Sequence, residues 1–388
     1  MLKHPCEGSP DILVIAGEAS GDEHAAALVR KVLSIRPELR ISAIGGPRIE
    51  QAGADLLFDL TEHAVVGVFE VLKNYGFFKR LFGETLAWIE SNRPKTVLLV
   101  DYPGFNLRVA DALKDRGISC KGGGEVRLLQ YVSPQLWAWK PQRRFKMARI
   151  LDSLAVIFPF EVDSYDDVDL PVRFVGHPFV SEDYESKLTH ASDAPVLLLP
   201  GSRLQPVARI LPCLIEAFHI VLKESPELKG RIISPSGEVR LLVEKILASR
   251  RGVDSLAIVG NEEKISASAV LTSSGTMSLA CALAGIPGAI AYRAHPITYL
   301  LGRILVKVPY LGMANLLLPE NPIYPEFIQG EARPANLAEC LHRCLEDPGQ
   351  TAKAKTASEK LRKLLEQPAE LSTSDWLLQE GGLGEATI

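Results

Sequence analysis

Short hydrophobic runs alternate with amphipathic segments along the whole chain. Each run is rich in Val, Ile and Leu, and the segment after it repeats its apolar residues at helical spacing. This alternation is typical of βα units on a parallel sheet. The predicted strands are Ile12–Ala16, Ile41–Ile44, Thr96–Val100, Leu128–Val132, Leu154–Ile157, Arg173–Val175, Val196–Leu199, Arg231–Ile233, Leu256–Val259 and Ala269–Leu271.

A polar, weakly patterned stretch divides the chain into two similar halves. It covers residues 181–194, so we expect a linker there. We predict an N-terminal domain over 1–180, a C-terminal domain over 195–365, and a tail or helix over 366–388 that packs back on the N-terminal domain. Both domains are expected to be α/β, doubly wound and Rossmann-like, facing a central cleft. The segment Gly381–Ile388 is expected to form a loose tail.

Composition and charge exclude several classes of protein. The chain has 388 residues, of which 47% are hydrophobic and 23% charged, as in a globular protein of two domains. The net charge of −4 gives no field for nucleic acid, so no such partner is expected. The six cysteines form no Cys-x-x-Cys pair, which favours free thiols and a cytoplasmic location. The stretch nearest to a membrane span, Ile297–Leu318, is broken by charges and Pro309, so no spanning helix is expected.

The turn after the first strand carries acidic residues and a serine. Ser20 and Glu23 have the spacing of a capping box for the next helix, which leaves Glu18 without a structural explanation. The turn has neither the glycine spacing of a dinucleotide site nor the lysine of a phosphate loop. Because an acidic turn suits hydroxyl groups of a substrate, Glu18 and Ser20 are candidate binding residues.

Asp101 directly follows the strand Thr96–Val100 and is the candidate catalytic residue. Ligands of open α/β sheets lie at the carboxyl ends of strands. Two interpretations stay open: Asp101 caps a helix that starts near Asn106, or it acts as a general base or binds a substrate hydroxyl. Trp137 follows a later strand, where it either packs in the core or forms a wall for a sugar or acyl chain.

Two turns in the second half suit a diphosphate. Arg203 ends a turn of small residues and supplies a guanidinium group, which matches phosphate well. Ser274, Gly275 and Thr276 connect a strand to an apolar helix whose first amides would meet an anion. The alternatives are a surface arginine in the first turn and ordinary helix capping by Ser or Thr in the second.

The segment Val65–Phe82 mixes aromatic and aliphatic side chains with cations. Such a mixture suits docking on an anionic membrane, and the alternative is an ordinary amphipathic core helix. The candidate membrane-docking residues are Phe69, Leu72, Tyr75, Phe77, Phe78, Lys79, Arg80 and Phe82.

Two further motifs are not expected to carry chemistry. Asp167 and Asp169 lie in an acidic run rather than at a strand end, so we expect a solvated loop there. The glycine-rich segment Lys121–Glu125 precedes a strand instead of opening a helix, so we expect a flexible turn. No metal and no cofactor are expected.

Short motifs of this chain, taken in their order, resemble those of the lipid-A-disaccharide synthases. These are two-domain glycosyltransferases in the envelope pathway of Gram-negative bacteria, and the resemblance runs nearly end to end. The matching motifs are Ala16–Asp22, Gly45–Arg48, Val66–Leu72, Asp101–Asn106, Tyr131–Pro134, Trp137–Trp139, Pro159–Glu161, Gly176–Pro178, Leu199–Arg203, Ser274–Thr276 and Ala314–Leu317.

The resemblance implies a GT-B fold and an inverting, metal-independent hexosyl transfer. The donor would be UDP-2,3-diacylglucosamine, the acceptor 2,3-diacylglucosamine 1-phosphate, and the products a β-1,6 lipid A disaccharide 1-phosphate and UDP. In that case Asp101 is the base, Glu18 and Ser20 line the acceptor side, and Trp137 is a further acceptor-binding candidate. The residues implied to bind UDP are Arg203, Ser274, Gly275, Thr276 and Asn315.

The resemblance also implies a peripheral enzyme on the cytoplasmic surface of the inner membrane, and a homodimer stays open. The chain departs from the family at Ala280 and Pro206, where the family has Glu, and at Met313. A carboxylate lost from a nucleotide ribose costs about 1–3 kcal/mol of affinity. Alternative functions are a UDP-N-acetylglucosamine 2-epimerase and a non-catalytic nucleotide-sugar or lipid-binding protein. The aromatic and basic segment argues against the first, and the retained Asp101 and Arg203 argue against the second.

Overall fold

The computed structural model describes residues 2–3, 8–61, 75–181, 184–234, 237–250, 252–260, 263–296, 299–300, 302 and 308–384. The chain divides into two compact units. The first consists of residues 1–178 and 367–388, and the second of residues 179–366.

The first unit contains a parallel sheet. Its strands are β1 (Ile12–Ala16), β2 (Ile41–Gly45), β3 (Asp55–Asp59), β4 (Thr96–Val100), β5 (Arg127–Tyr131), β6 (Ser153–Val156) and β7 (Val172–Phe174). Their order is β3-β2-β1-β4-β5-β6-β7. β1 and β4 are buried along their whole length, as expected for central strands of a sheet covered on both faces. The strand order reverses between β1 and β4, so their carboxyl ends flank the position where such sheets bind ligands.

Helices connect these strands and bury one face each. The helices of the first unit are Ala19–Ile35, Pro47–Gln51, Tyr75–Asn92, Pro103–Asp115, Arg143–Ile150 and Thr373–Glu380, with 3-10 turns at Cys120–Gly122 and Pro159–Tyr165. In the first helix Ala25, Val29 and Val32 are fully buried, at the spacing of one helical face.

The end of the chain packs on the first unit. Trp376 is fully buried, and its Nε1 donates to Ser153 Oγ at 3.0 Å. Beyond the helix, Thr96 Oγ1 donates to the carbonyl of Gly381 at 2.7 Å, and Arg36 donates to the carbonyl of Leu383 at 2.8 Å. The expectation of a loose tail is therefore wrong for residues 381–384, because buried backbone carbonyls there have partners from the sheet and the first helix.

The second unit contains a second parallel sheet. The strands are β8 (Leu188–His190), β9 (Val196–Leu199), β10 (Gly230–Ile233), β11 (Leu256–Val259), β12 (Ile265–Ala267), β13 (Val270–Thr272), β14 (Gly288–Tyr292) and β15 (Glu326–Ile328). The main sheet has the order β11-β10-β9-β13-β14-β15, which reverses between β9 and β13. β8 pairs separately with β12. Part of the stretch predicted as a linker is therefore a strand, anchored by buried Leu188.

The helices described in the second unit are Leu204–Glu224, Glu238–Ala248, Thr276–Leu283, Met313–Leu317, Pro334–Glu346 and Pro348–Leu365, with 3-10 turns at Pro178–Val180 and Gln329–Glu331.

One of these helices is long and apolar enough to cross a membrane. Within the described residues only Leu204–Glu224 passes that test, and half of its apolar window is buried. Leu211, Leu214 and Phe218 are fully buried in the core cluster of this unit, so it is the core helix of the domain.

The predicted fold class is confirmed, since both sheets are doubly wound and parallel. Every predicted strand is present, with ends shifted by at most one residue. The strands that were not predicted are Asp55–Asp59, Leu188–His190, Ile265–Ala267, Gly288–Tyr292 and Glu326–Ile328. They are short, polar at their ends or rich in alanine, so their strand conformation comes from pairing with neighbours rather than from local pattern.

The glycine-rich turn before β5 is compact, which corrects the expectation of flexibility. A Cβ atom at Gly122 would collide with the carbonyl oxygen of Lys114, and one at Gly124 with that of Ile118. The amides of both glycines donate to the Ser119 carbonyl, at 2.8 and 2.9 Å. Glycine is therefore required here for close backbone packing.

Candidate active site

The first polar turn at the carboxyl edge of the N-terminal sheet follows β1. The helix begins at Ala19 with Glu18 at the N-cap, and no side chain caps it. Ser20 lies within the first turn, so the predicted capping box of Ser20 and Glu23 is wrong. Glu23 instead forms an ion pair with Arg48, at 2.7 Å. Ser20 and Glu18 are both half-buried at this edge.

Asp22 holds the neighbouring loop and was not recognised from the sequence. Its carboxylate is 3% exposed and accepts hydrogen bonds from the amides of Gly46, Arg48 and Ile49, at 2.8, 3.1 and 3.3 Å. Burial raises the pKa of Asp22, and the three amides oppose that rise. The Gly45-Gly46-Pro47 turn after β2 was the feature of the sequence that could have indicated such a residue, because the amides of this turn need an acceptor.

Asp101 lies at the carboxyl end of β4 in a strained backbone conformation. Asp101 and Tyr102 both have left-handed φ values, of 47° and 46°. The carbonyl of Asp101 accepts from the side-chain amides of Asn106 at 2.8 Å and Gln130 at 3.2 Å. The helix begins at Pro103 with Tyr102 as its N-cap, so it starts earlier than expected and the capping interpretation of Asp101 does not hold. The half-buried Asp101 is held in position by its backbone.

Trp137 and Glu161 join the loop after β5 to the loop after β6. Trp137 is half-buried, its Nε1 donates to Glu161 Oε1 at 3.4 Å, and its ring meets Phe160 edge-on at 5.5 Å. The carboxyl group of Glu161 is 1% exposed and also accepts from the amide of Phe158 at 3.2 Å. Burial raises the pKa of Glu161 to about 8, and the negative charge of Asp101 adds to that rise. Glu161 was not recognised as a site residue from the sequence, although the Pro159–Glu161 motif was visible.

The raised pKa of Glu161 predicts that the first unit loses stability as pH rises. The folded state keeps this proton up to about pH 8, whereas the unfolded chain releases it near 4.5. The contribution of this proton to the free energy of unfolding is complete below the unfolded pKa and is lost as pH rises through the folded pKa. The free energy of unfolding then falls by at most about 1.4 kcal/mol per pH unit. Glu161→Gln, which has no proton to release, should show a flatter dependence of the free energy of unfolding on pH between about pH 4.5 and 8.

Urea unfolding followed by tryptophan fluorescence measures this effect. All four tryptophans belong to the first unit, at positions 88, 137, 139 and 376, so the signal reports on that unit. Equal pH slopes for the wild type and Glu161→Gln would contradict the assignment of a protonated Glu161.

A buried imidazole, His177, and a half-buried one, His24, lie in the same unit. His177 is 4% exposed, with its ring 5.1 Å from that of Phe158. Burial, with a smaller contribution from the neighbouring His24, lowers the pKa of His177 to about 3. Burial also lowers the pKa of His24. Both imidazoles are therefore neutral at pH 7. The Gly176–Pro178 motif was visible in the sequence as part of the family resemblance, but His177 was not recognised as a site residue.

The second unit carries its polar turns on neighbouring strands. Arg203 follows β9 and is exposed at the N-cap of Leu204–Glu224. Gly275 has a φ of 143° and is the N-cap of Thr276–Leu283, which no side chain caps. The alternative of ordinary Ser or Thr capping is therefore wrong, and the first amides of this helix are left without a capping side chain. Ser274 is half-buried, while Gly275 and Thr276 are exposed.

Asn315 is fully buried, and its amide is satisfied within the second unit. Its Nδ2 donates to the carbonyl of Tyr324 and to Glu326 Oε1, both at 2.8 Å. Its Oδ1 accepts from the amides of Ile323 and Tyr324 at 2.8 and 3.0 Å. Glu326 also accepts from the amides of Leu311 and Gly312, at 2.8 and 3.0 Å. The Asn315 side chain thus fixes the loop 310–326 rather than facing solvent.

The two positions that depart from the family pattern differ in their surroundings. Ala280 is 7% exposed inside Thr276–Leu283. Pro206 is half-buried in the first turn of Leu204–Glu224, beside Gly201. Proline is compatible with a first helical turn because those amides have no intrahelical acceptor.

The candidate membrane-docking residues are only partly described. Phe69, Leu72 and the side chain of Tyr75 lie outside the described residues. The half-buried aromatic residues that pack against the core of the first unit are Phe77, Phe78 and Phe82. Lys79 and Arg80 are exposed on the same helix. This part of the segment therefore combines a core face with an exposed basic face.

The acidic run after β6 is neutralised in part by arginine. Asp167 accepts from Arg144 Nε and Nη2, both at 2.6 Å, in a bidentate pair. Over the described residues, no group of three or more His, Cys, Asp or Glu side chains is arranged to hold a metal ion.

Two doubly wound sheets with polar turns at their switch points define a two-domain α/β protein of GT-B type. The solved structure of the glycotransferase of kitacinnamycin is similar, with a TM-score of 0.60 at 13% identity over 98% of each chain. A putative UDP-N-acetylglucosamine 2-epimerase from Listeria monocytogenes has a TM-score of 0.57 at 12% identity, over 92% of this chain and 96% of that chain. These likenesses concern the fold alone.

The sequence assigns the family. The model of the lipid-A-disaccharide synthetase family matches residues 12–380. The chain is 35% identical over 368 residues to the lipid-A-disaccharide synthase of Geobacter metallireducens, which covers 91% of this chain and 92% of that protein. It is 36% identical over 351 residues to that of Trichlorobacter lovleyi, covering 87% and 88%. The chain belongs to the lipid-A-disaccharide synthase family of glycosyltransferases, which confirms the resemblance, and neither alternative function is favoured.

Proposed function

We propose that the protein transfers 2,3-diacylglucosamine from its UDP conjugate to 2,3-diacylglucosamine 1-phosphate. The 6-hydroxyl oxygen of the acceptor bonds to C1 of the donor sugar as the bond from C1 to the UDP oxygen breaks, with inversion. The hydroxyl proton passes to a base, and UDP leaves with the bonding electrons. The observation that carries this proposal is the position of Asp101 at the switch point of the N-terminal sheet, in a chain that belongs to this family.

Asp101 is the proposed base. A general base must be positioned by its surroundings, and the amides of Asn106 and Gln130 fix the Asp101 backbone. Glu161 in its protonated form adds no negative charge beside it. Glu18 and Ser20 follow the neighbouring strand β1, so we assign them with Trp137 to the acceptor sugar.

The second unit is proposed to hold the UDP group. Arg203 follows β9 and Ser274–Thr276 follow β13, and these strands pair directly, with Leu199 opposite Thr272. The guanidinium and the first amides of Thr276–Leu283 can together stabilise the negative charge that develops on the departing diphosphate. We propose that Asn315 acts on the nucleotide indirectly, because its side chain fixes the loop that follows Leu311.

We propose that the protein works at the cytoplasmic surface of the inner membrane, where both acylated substrates reside. Support comes from the exposed Lys79 and Arg80, whose charges suit anionic lipid. The half-buried Phe77 and Phe78 next to them supply apolar contact area.

The test of the reaction uses the full-length protein in detergent with UDP-2,3-diacylglucosamine and 2,3-diacylglucosamine 1-phosphate. Disaccharide 1-phosphate is followed by mass spectrometry and UDP by a coupled assay, and equal amounts of both are expected. UDP release without disaccharide would contradict the proposed acceptor. Conversion of UDP-N-acetylglucosamine in the absence of any acceptor would indicate epimerase chemistry instead.

A further inference from the structure

The segment after β5 carries more positive charge than its acidic neighbours neutralise. Arg144 is paired with Asp167, and Lys146 donates to Asp111 Oδ2 at 2.6 Å. By contrast, Lys140 and Arg143 form no ion pair or side-chain hydrogen bond with any residue in the described parts of the chain.

Both unpaired cations lie over one indole ring. Lys140 Nζ is 4.1 Å from the centre of the Trp139 ring, and Arg143 Cζ is 5.4 Å from it. Cation–π contacts of this kind stabilise a cation but leave its hydrogen-bond donors unused. Lys140 has a left-handed φ of 52°, which is unusual for a residue with a side chain.

Arg143 is charged in surroundings that disfavour its charge. Its side chain is half-buried, and burial lowers its pKa. Partial burial of a guanidinium group without an acidic partner costs free energy of folding, and charged groups in such surroundings are typical of ligand-binding sites.

These residues belong to the same sheet edge as the proposed base. Their loop leaves the carboxyl end of β5, which pairs with β4, the strand that ends at Asp101. Trp137 in this loop donates to Glu161, and Glu161 is near enough to Asp101 to respond to its charge. The loop is therefore anchored at the sheet edge where the acceptor sugar binds in the proposed reaction.

We propose that Trp139, Lys140 and Arg143 bind a phosphomonoester, and that this group is the 1-phosphate of the acceptor sugar. The identity of that ligand rests on the proposed function. A phosphomonoester carries close to two negative charges at pH 7, which two cations match, and guanidinium groups suit its oxygens. The indole ring of Trp139 contacts both cations and offers an apolar platform.

Activity measurements with two acceptors test the assignment. Lys140→Ala and Arg143→Ala should each raise KM for 2,3-diacylglucosamine 1-phosphate about tenfold, as expected for the loss of one charged contact. KM for the UDP donor should not change, nor should the rate with 2,3-diacylglucosamine that lacks the phosphate. Arg143→Lys should restore part of the loss. Arg149→Ala removes an exposed charge from the same helix and is the matched control, with no expected effect.

A binding measurement separates the site from the reaction. Glucosamine 1-phosphate has no acyl chains, and its binding should change the tryptophan fluorescence of the wild type, whereas glucosamine should not. Arg143→Ala should abolish this change. If the wild type binds glucosamine 1-phosphate through Arg143 but forms no disaccharide, the phosphate site is supported and the proposed reaction is contradicted.

Two outcomes would overturn the proposal. One is an equal rise in KM for the acceptors with and without phosphate. The other is that Lys140→Ala and Arg143→Ala no longer bind phosphatidylglycerol vesicles but keep the wild-type ratio of KM values for the acceptors with and without phosphate. That result would assign these cations to a membrane headgroup.

Discussion

Replacing Asp101 by asparagine is expected to lower kcat by about 10²–10⁴-fold, the usual contribution of a general base. Asparagine has the same size as aspartate but cannot accept the proton of the acceptor hydroxyl. It also tolerates the left-handed backbone found at this position, with a φ of 47°. Asp101→Asn is therefore a cleaner test than Asp101→Ala, which would add backbone strain to the loss of the carboxylate.

Two measurements check this result. Disaccharide formation gives kcat, and calorimetric titration with UDP should give an unchanged dissociation constant, because the proposed nucleotide residues belong to the other unit. The matched control is Asp115→Asn, the same change at an exposed carboxylate in Pro103–Asp115. A normal rate for Asp101→Asn would remove Asp101 from the role of base, and a loss of UDP binding would point to misfolding.

Replacing Trp376 by alanine is expected to destabilise the first unit by about 3–5 kcal/mol. Trp376 is fully buried, and its ring centre lies 6.5 Å from that of Tyr131. Alanine would leave a large cavity and would remove the donor to Ser153 Oγ. The effect should exceed that of most single substitutions, because this side chain attaches residues far apart in the sequence to one core.

Urea unfolding followed by the fluorescence of the remaining tryptophans measures the loss. Trp376→Phe keeps most of the buried volume but loses the part of the indole ring that carries the N–H, so a smaller loss of about 1–2 kcal/mol is expected. Trp139→Phe controls for the change in signal, since Trp139 is half-exposed. An unchanged unfolding midpoint in Trp376→Ala would show that residues 367–384 do not support this unit.

The strands could be predicted because burial on both faces of a parallel sheet requires continuous apolar runs. β4 and β9 were found with their exact ends for this reason, as their residues are buried throughout. β14 was missed because Gly288-Ala-Ile-Ala-Tyr has little local preference for a strand. Its conformation depends on pairing with β13 and β15, which lie elsewhere in the chain.

Part of the candidate site could be predicted in the same way. Glu18, Asp101, Arg203 and Ser274 follow apolar strands, and a residue in that position of a doubly wound sheet lies at the ligand-binding edge. The capping box at Ser20 was wrong because local spacing alone does not decide where a helix begins. The helix starts at Ala19, and Glu23 is drawn to Arg48 of the next turn.

The fold class, the strand ends that carry polar residues and the family could all be predicted without coordinates. These features depend on residues that are neighbours in the chain or on motifs in a fixed order. The coordinates were needed to show which distant side chains meet: Trp137 with Glu161, Asn315 with Glu326, and Trp376 with Ser153. Such pairs depend on the order of strands in the sheet and on the burial that it creates, and the pattern of a single segment contains neither.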